Sequence, residues 1–324
     1  MALRRLLPVV LLAALLVPAA PASAKHWTLG GWDARAQRLV ARAGILGAGH
    51  GANRLTVAAE RGALRGLARK LGTRFVDVRR PPTVASFDGA LVAALGLSDL
   101  ARSVQHEARR AGLRPPARFG TEVVARRLGL RHDFPAVADR LELYPSDRIT
   151  RAEAAWSLAV VLRSGPYAGQ YARDVLSRFH LPRYSAAQRA ALRIAVSRIG
   201  YPYVWGGETD TASNTYYGPQ AHGGYDCSGF VWRVFKLSGL PAGRKIGGRT
   251  ADAMAREFPR RSRIAYRRIR AGDLLFFGTP KYISHVTISM GNGFLIESSG
   301  QGVAVAPLWE GWRVHEFQWA RRIL

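Results

Sequence analysis

The spacing of apolar residues changes along this chain, and that change limits the folds it can adopt. Between Trp27 and about Arg163 the sequence is rich in Ala, Leu and Arg at helical spacing, interrupted by Gly and Pro. Further on, short β-rich runs alternate with glycines, at residues 203–205, 273–277, 285–290, 294–297 and 303–305. The first pattern predicts a mainly α-helical region, and the second predicts a compact antiparallel sheet behind a few helices. We therefore expect an α+β protein.

The length of 324 residues fits two folded units, and a hydrophobic content of 48% excludes disorder throughout. We predict a signal peptide at 1–24, a helical repeat region at 25–163, a linker at 164–184 and a second domain at 185–324. Gly, Pro and Tyr residues accumulate at 164–184, and this composition predicts a linker that contains about one helical turn. Ser185 followed by Gln188 has the spacing of a capping box, so a helix should open the second domain.

The first 24 residues have the pattern of a cleavable secretory signal. A basic pair precedes an apolar run over residues 6–17, and the small residues ASA end at Ala24. The run is too short for a transmembrane helix, although a lone N-terminal anchor is the alternative. We expect cleavage after Ala24, and a secreted, cell-wall-associated protein with no transmembrane segment after that cleavage.

The charge of the chain is strongly positive: 48 Lys and Arg face 22 Asp and Glu, a formal net charge of +26. Such a field attracts polyanions. For an exported protein these are peptidoglycan and anionic wall polymers, and not nucleic acid, for which the sequence has no recognition motif. Seven arginines lie between Arg256 and Arg270. Genome composition and a solvated surface are the alternative explanation for the scattered arginines.

Three similar stretches of the first region each precede an Ala/Leu-rich helix. They are residues 53–56, 118–121 and 147–153, and each contains a threonine suited to an N-cap. The last lies in DFPAVADRLELYPSDRITRAEAAWSLAVVL, which resembles an S-layer homology repeat. That resemblance implies that Arg151 contacts anionic secondary cell-wall polymers. A helical spacer with capped helices is the alternative.

Cys227 is the only cysteine, so an intramolecular disulfide is impossible. An inert buried thiol, an intermolecular disulfide or a chance occurrence would each explain one cysteine. Its position favours reactivity. In GGYDCSGFVWRVFKLSG the apolar residues that follow recur at helical spacing, which puts the thiol in the first turn of a helix. There the backbone N–H groups and the helix dipole stabilise a thiolate and lower the pKa of a cysteine, as a nucleophile requires.

A cysteine nucleophile needs a base, and His285 begins the alternating strand SHVTISM. The segment GNG then turns the chain into FLIESS. If these three residues form the loop, Thr287 pairs with Glu297, and Glu297 lies on the same face as His285. A two-residue loop would put Glu297 on the opposite face.

We therefore predict a thiolate held by His285, with Glu297 fixing the tautomer and orientation of the ring. The oxyanion would be held by the backbone N–H of Cys227, with Tyr203 as a second candidate donor. No His, Cys or carboxylate cluster has the spacing of metal ligands, so we expect no metal and no cofactor.

Five segments together resemble the NlpC-type family of cell-wall cysteine peptidases. In order, they are IGYPYVWGG, YDCSGFVWRVF, IRAGDLLFFG, ISHVTISMGNGFLIESSGQGV and WARRIL. The resemblance extends from about Ser185 to the end of the sequence. It implies a papain-like α+β fold and cleavage of peptidoglycan stem peptides, commonly between γ-D-glutamate and a diamino acid.

The resemblance also implies a role for individual residues. Cys227 matches the nucleophile, His285 the base and Tyr203 the tyrosine near the oxyanion. Asp226 and Ser228 match positions that contact the substrate, often its free amino end.

The third polar residue is a departure, because the family usually has His, Asn or Gln where this sequence has Glu297. A carboxylate there should raise the basicity of the imidazole. An amidase or acyltransferase of the same fold clan is one alternative function. A wall-binding protein with an inactive peptidase domain is another.

Overall fold

The computed structural model describes residues 31–216, 218–220 and 222–324. The predicted signal peptide at 1–24 lies outside these residues. The helices of the first region are α1 (Ala34–Arg42), α2 (Val57–Leu71), α3 (Val84–Ala94), α4 (Ser98–Arg110), α5 (Phe119–Arg127) and α6 (Arg151–Leu176), with a 3₁₀ helix at Ala136–Leu141. In the described part of the chain, no helix is both long and apolar enough to cross a membrane.

Three helices of this region begin close together. Thr56, Thr83 and Thr150 are the N-caps of α2, α3 and α6, and each side chain accepts a hydrogen bond from a backbone N–H of the first turn. The residues before the helices are joined by isolated β-bridges, Arg54 with Thr150 and Thr83 with Arg148. The N-caps predicted for the first and third similar stretches are therefore confirmed.

The N-cap predicted for the second stretch, residues 118–121, is wrong. Thr121 lies inside α5 and does not cap it, whereas the threonine equivalent to the other two is Thr83. The start of α5 is capped by a side chain of α4: the N–H of Gly120 donates a hydrogen bond to Oε1 of Gln105 at 2.9 Å. Gly120 packs so closely on α4 that an added Cβ would lie 1.9 Å from the carbonyl oxygen of Ala101.

The segment at 164–184, predicted as a linker with one helical turn, contains the second half of α6. The helix is interrupted at Gly165, which has φ 57° and ψ −153°, and then continues to Leu176. Leu181 and Tyr184 beyond it are buried in the core. The glycine, proline and tyrosine that favoured a linker thus belong to a bend in a helix and to a packed connection.

The second region combines helices with small sheets. Its helices are α7 (Ala186–Ser197), α8 (Cys227–Phe235), α9 (Ala251–Arg256) and α10 (Trp312–Glu316), with 3₁₀ helices at Pro241–Lys245, Arg260–Ser262 and Tyr266–Arg268. The predicted capping box of Ser185 and Gln188 is confirmed at the start of α7 by both of its hydrogen bonds. Two short antiparallel pairs of strands, β1 (Glu208–Thr209) with β4 (Gly224–Tyr225) and β2 (Ser213–Thr215) with β3 (Gly218–Gln220), precede α8.

The main sheet is antiparallel and has five strands. They are β5 (Leu274–Gly278), β6 (Ile283–Gly291), β7 (Phe294–Ser299), β8 (Gly302–Pro307) and β9 (Phe317–Arg321), in the order β8-β7-β6-β5-β9. Alternate residues face opposite sides. Phe276 and Ile288 face the large core, and Leu275 and Phe277 face a smaller one. Burying one such side chain contributes about 2 kcal/mol to folding.

One continuous apolar core joins the helical region to the second region. Polar contacts cross the same boundary. The buried guanidinium of Arg126 donates to the carbonyl oxygens of Gly200 and Gln301 at 2.8 and 2.6 Å, and Arg118 donates to that of Ile199 at 3.2 Å. The helical region is therefore packed against the chain segments that lead to the candidate site. The division into domains at 25–163 and 185–324 stays a prediction.

Candidate active site

Cys227 is the first residue of α8. Asp226 is the N-cap, and its carboxylate accepts a hydrogen bond from the N–H of Gly229. The start of the helix lies tightly against the preceding loop, because an added Cβ on Gly229 would lie 1.7 Å from the carbonyl oxygen of Gly207. The sulfur is 4.0 Å from the carbonyl oxygen of Ser284, next to the predicted base. The predicted position of the thiol in the first helical turn is confirmed.

The turn between β6 and β7 differs from the expected three-residue loop. Gly291 pairs with Phe294, which leaves two residues, Asn292 and Gly293, in the turn. Both have positive φ, 49° and 81°. Two consecutive positive φ values are typical of the type I′ turn, whose twist matches that of the strands.

A β-bulge next to this turn changes the register of the hairpin. It lies after Ser289. On the side of the bulge away from the turn, Ile288 pairs with Ile296. The bulge adds one residue to β6, which is the offset that a three-residue loop would have produced. Glu297 therefore lies on the same face as His285, as predicted, although the loop has two residues.

The two side chains are in direct contact. Nε2 of His285 is 2.9 Å from Oε2 of Glu297. Since an ionised carboxylate only accepts hydrogen bonds, Nε2 carries the proton and Nδ1 is left for the thiol. Burial lowers the pKa of His285, but the charge and hydrogen bond of Cys227 and those of Glu297 outweigh it and raise that pKa to about 10. At neutral pH the ring of His285 is therefore an imidazolium.

Tyr203 also lies at the site. It forms an isolated bridge with Tyr225, the residue before the N-cap of α8. Burial raises the pKa of the Tyr203 hydroxyl above its usual value, and negative charges at Cys227 and Asp226 add to the shift. The hydroxyl is therefore protonated at neutral pH and can donate a hydrogen bond.

The predicted substrate contacts Asp226 and Ser228 are buried in a polar network. Both oxygens of Asp226 accept hydrogen bonds, from the hydroxyl of Ser228 at 3.0 Å and from the N–H of Gly206 at 3.0 Å. A buried guanidinium, that of Arg249, donates to Ser228 at 2.9 Å and to Glu208 at 2.6 Å. These residues hold the start of α8 against the loop before β1, and their contact with substrate stays a prediction.

Sequence reasoning missed Arg313 and its neighbour Trp312. Both lie on α10, and Arg313 forms an ion pair with Oε1 of Glu297. The ring of Trp312 meets that of His285 edge to face, with centroids 5.3 Å apart. One carboxylate oxygen of Glu297 thus bonds to the ring of His285, and the other bonds to the guanidinium of Arg313. No local pattern in the sequence marks this pair, because the contact spans 16 residues and depends on the fold.

Arg151, predicted to bind wall polymer, lies in the helical region at the start of α6. Its guanidinium donates to the carbonyl oxygen of Gly47. Next to it is a cavity of about 750 Å³, which two exposed arginines, Arg54 and Arg140, line together with Trp32 and Phe134. Arg151 therefore supports a loop of the cavity wall, and the cations of the cavity itself are other arginines.

Residues 200–322 match the model of the NlpC/P60 family. This NlpC/P60 domain contains Cys227, His285 and Glu297, together with Tyr203 and Arg313.

Curated relatives of the chain are named as peptidoglycan endopeptidases. Peptidoglycan endopeptidase RipB of Mycobacterium tuberculosis is 30% identical over 156 residues, which are 44% of this chain and 58% of RipB. Bifunctional muramidase/DL-endopeptidase CwlT of Bacillus subtilis is 32% identical over 134 residues, 40% of this chain and 35% of CwlT. The chain thus spans less than two thirds of the length of each.

Among solved structures, that of the peptidoglycan hydrolase RipB is 29% identical. The match covers 43% of this chain and 65% of that structure, with a TM-score of 0.34.

Proposed function

We propose that this protein is a secreted cysteine endopeptidase that cleaves peptidoglycan stem peptides outside the cytoplasmic membrane. One observation carries the proposal: within a domain that matches NlpC/P60, Cys227 begins a helix beside His285, and His285 bonds to Glu297. The name of RipB supports peptidoglycan as the substrate. An amidase of the same fold clan and a non-catalytic wall-binding protein remain the alternatives.

The thiolate of Cys227 attacks the carbonyl carbon of the scissile peptide bond. The negative charge that develops on the oxygen is stabilised by the backbone N–H of Cys227 and by the hydroxyl of Tyr203. At the start of α8 this N–H has no partner within the helix, so it is available for the oxyanion.

The imidazolium of His285 then donates its Nδ1 proton to the leaving amine, and a thioester with Cys227 remains. A water molecule gives a proton to the same nitrogen and hydrolyses the thioester, which releases the new carboxylate and restores the thiolate. Glu297 accepts a hydrogen bond from the Nε2–H group throughout the reaction. The proton therefore stays on Nε2, and the nitrogen that faces the sulfur is always the one that exchanges protons.

The bond that we propose joins γ-D-glutamate to the diamino acid of the stem. Such a bond runs from a D residue to an L centre, and the name of CwlT includes DL-endopeptidase. The positive charge of the chain favours substrates rich in carboxylates.

The test is digestion of purified muropeptides by the mature protein, followed by mass spectrometry. We expect fragments with the diamino acid as a new N-terminus, and none from Cys227→Ala, which should lose at least about 1000-fold in rate. A thermal unfolding midpoint close to that of the wild type would show that the variant folds. Intact stems would contradict the proposal, and a freed alanine terminus with bare glycan would identify an amidase.

We also infer that the helical region attaches the enzyme to anionic secondary wall polymers through the cavity beside α6. The support is its size and the combination of Arg54, Arg140 and Trp32, which suits an anionic saccharide that stacks on an aromatic ring, with the carboxylates of Asp33 and Glu153 also in the lining. The double variant Arg54→Met/Arg140→Met should bind walls about tenfold more weakly in sedimentation. Arg260→Met/Arg261→Met removes the same charge elsewhere. An equal loss in both variants would mean that charge alone drives binding.

A further inference from the structure

The C-terminal helix α10 contributes two side chains to the candidate site. It follows Gly311, which has φ 60°, a conformation that favours glycine. Arg313 donates to Oε1 of Glu297, and its guanidinium lies 4.7 Å from the centre of the Trp312 ring. Trp312 in turn contacts the rings of His285 and Phe277, each at 5.3 Å. Helix α10 therefore contacts both the imidazole and the carboxylate.

The charges at the site show why a second cation matters. Thiolate, imidazolium and carboxylate together carry a net charge of −1, and the Glu297 side chain is only 1% exposed. An uncompensated buried charge is unfavourable, and a bonded guanidinium removes the imbalance. The side chain of Arg313 is 12% exposed, so water screens this pair weakly.

We propose that Arg313 is a positioning residue, which keeps Glu297 ionised and aimed at His285 and thereby sets the pH range in which the thiolate–imidazolium pair exists. This inference rests on the proposed peptidase function. It gives a role to the ion-pair partner of Glu297, a carboxylate at a position where the NlpC-type family usually has His, Asn or Gln.

The electrostatics agree with this geometry. Burial raises the pKa of Glu297, but the hydrogen bond from His285 and the charge of Arg313 outweigh it and lower that pKa below its usual value. A nearby cation makes deprotonation of any acid easier, and its removal makes deprotonation harder. Loss of Arg313 should therefore move the titration of the whole site toward higher pH.

The experiment measures kcat/KM against pH on a defined stem peptide. In Arg313→Met both limbs of the profile should move up by on the order of one pH unit, with about a tenfold loss at the acidic limb. Arg313→Lys keeps the charge and should keep both limbs near their wild-type positions. Arg322→Met is the matched control, because Arg322 pairs with buried Asp273 at the far end of β5, and its profile should not move.

A second readout needs no substrate. Since Cys227 is the only cysteine, the rate of alkylation by iodoacetamide reports on that thiol alone. Its pH midpoint should rise in Arg313→Met and stay unchanged in Arg313→Lys. If activity and alkylation in Arg313→Met both fall without a shift in pH, Arg313 merely supports the fold and the inference is wrong. If alkylation shifts as expected while the wild type leaves stems intact, the inference holds and the peptidase proposal fails.

Discussion

Two glutamates, one in the candidate site and one in the helical region, are equally buried but have different partners. Glu297 and Glu60 of α2 are each 1% exposed. His285 and Arg313 bond to the two oxygens of Glu297, whereas within the described part of the chain neither oxygen of Glu60 has a hydrogen-bond partner. Burial raises the pKa of Glu60 to about 7, while the partners of Glu297 lower its pKa despite burial.

The comparison shows that partners, and not depth, decide whether a buried carboxylate in this protein is charged. An intermediate case lies in the helical region, where Asp88 and Glu153 share the single guanidinium of Arg131. Burial raises the pKa of Asp88 to about 6 and that of Glu153 to about 7, and the charge of Arg131 only partly opposes it. Arg131, with Arg126 also contributing, lowers these two pKa values but does not cancel the rise that burial causes, whereas the two partners of Glu297 do more than cancel it.

The same substitution in both regions should therefore change stability in opposite directions, and the larger effect is expected at the candidate site, where activity should change as well. Glu297→Gln keeps the size and one acceptor oxygen but removes the charge that balances His285 and Arg313. We expect kcat/KM to fall on the order of 100-fold and the free energy of unfolding to fall by about 3 kcal/mol, because Arg313 would keep a buried charge with no anion. Steady-state kinetics and urea denaturation measure the two effects.

A matched control for this variant is Glu257→Gln. Glu257 bonds to the buried guanidinium of Arg321, so its loss should lower stability without changing kcat/KM. Wild-type activity in Glu297→Gln would mean that a neutral acceptor orients the ring equally well. The carboxylate would then have no special role, and the distinction between the two glutamates would concern stability alone.

Much of this site could be predicted because its parts are local. The helix that begins at Cys227 and the alternating strand of His285 are each encoded in about ten consecutive residues. The register of Glu297 was predicted correctly with the wrong loop, because a bulge after Ser289 compensates for a shorter turn. The number of residues between His285 and Glu297 determines the combined length of the turn and the bulge. It does not show whether the extra residue lies in the turn or in the bulge.

The parts that could not be predicted depend on contacts between distant segments. Arg313 reaches Glu297 only because α10 is folded back over the sheet, and Gln105 caps α5 across a gap of 15 residues. The helix that replaces the expected linker reflects burial of Val175 and Leu176 in a core that both regions share. In the last case tertiary packing overrides the local propensity of the Gly- and Pro-containing segment.

For Glu60→Gln we expect an effect on stability alone, and its size depends on pH. The pKa of Glu60 is raised from 4.5 to about 7 in the folded protein, so the folded state binds a proton more tightly than the unfolded chain. The stabilisation from this proton is fully present below about pH 4.5 and is lost as the pH rises through 7. Glu60→Gln, which needs no proton, should be more stable than the wild type at pH 8 by at most about 3 kcal/mol.

The measurement is the difference in unfolding free energy between wild type and variant at pH 5 and pH 8. This difference cancels the titration of groups that both proteins share. Asp77, Arg79 and Arg80 line the same cavity as Glu60, so the two arginines would reduce the effect if they approached the carboxylate. Asp99→Asn removes an exposed carboxylate of α4 and is the control for the loss of one negative charge. A Glu60→Gln difference that is the same at both pH values would show that Glu60 is ionised in the folded protein, and the contrast with Glu297 would disappear.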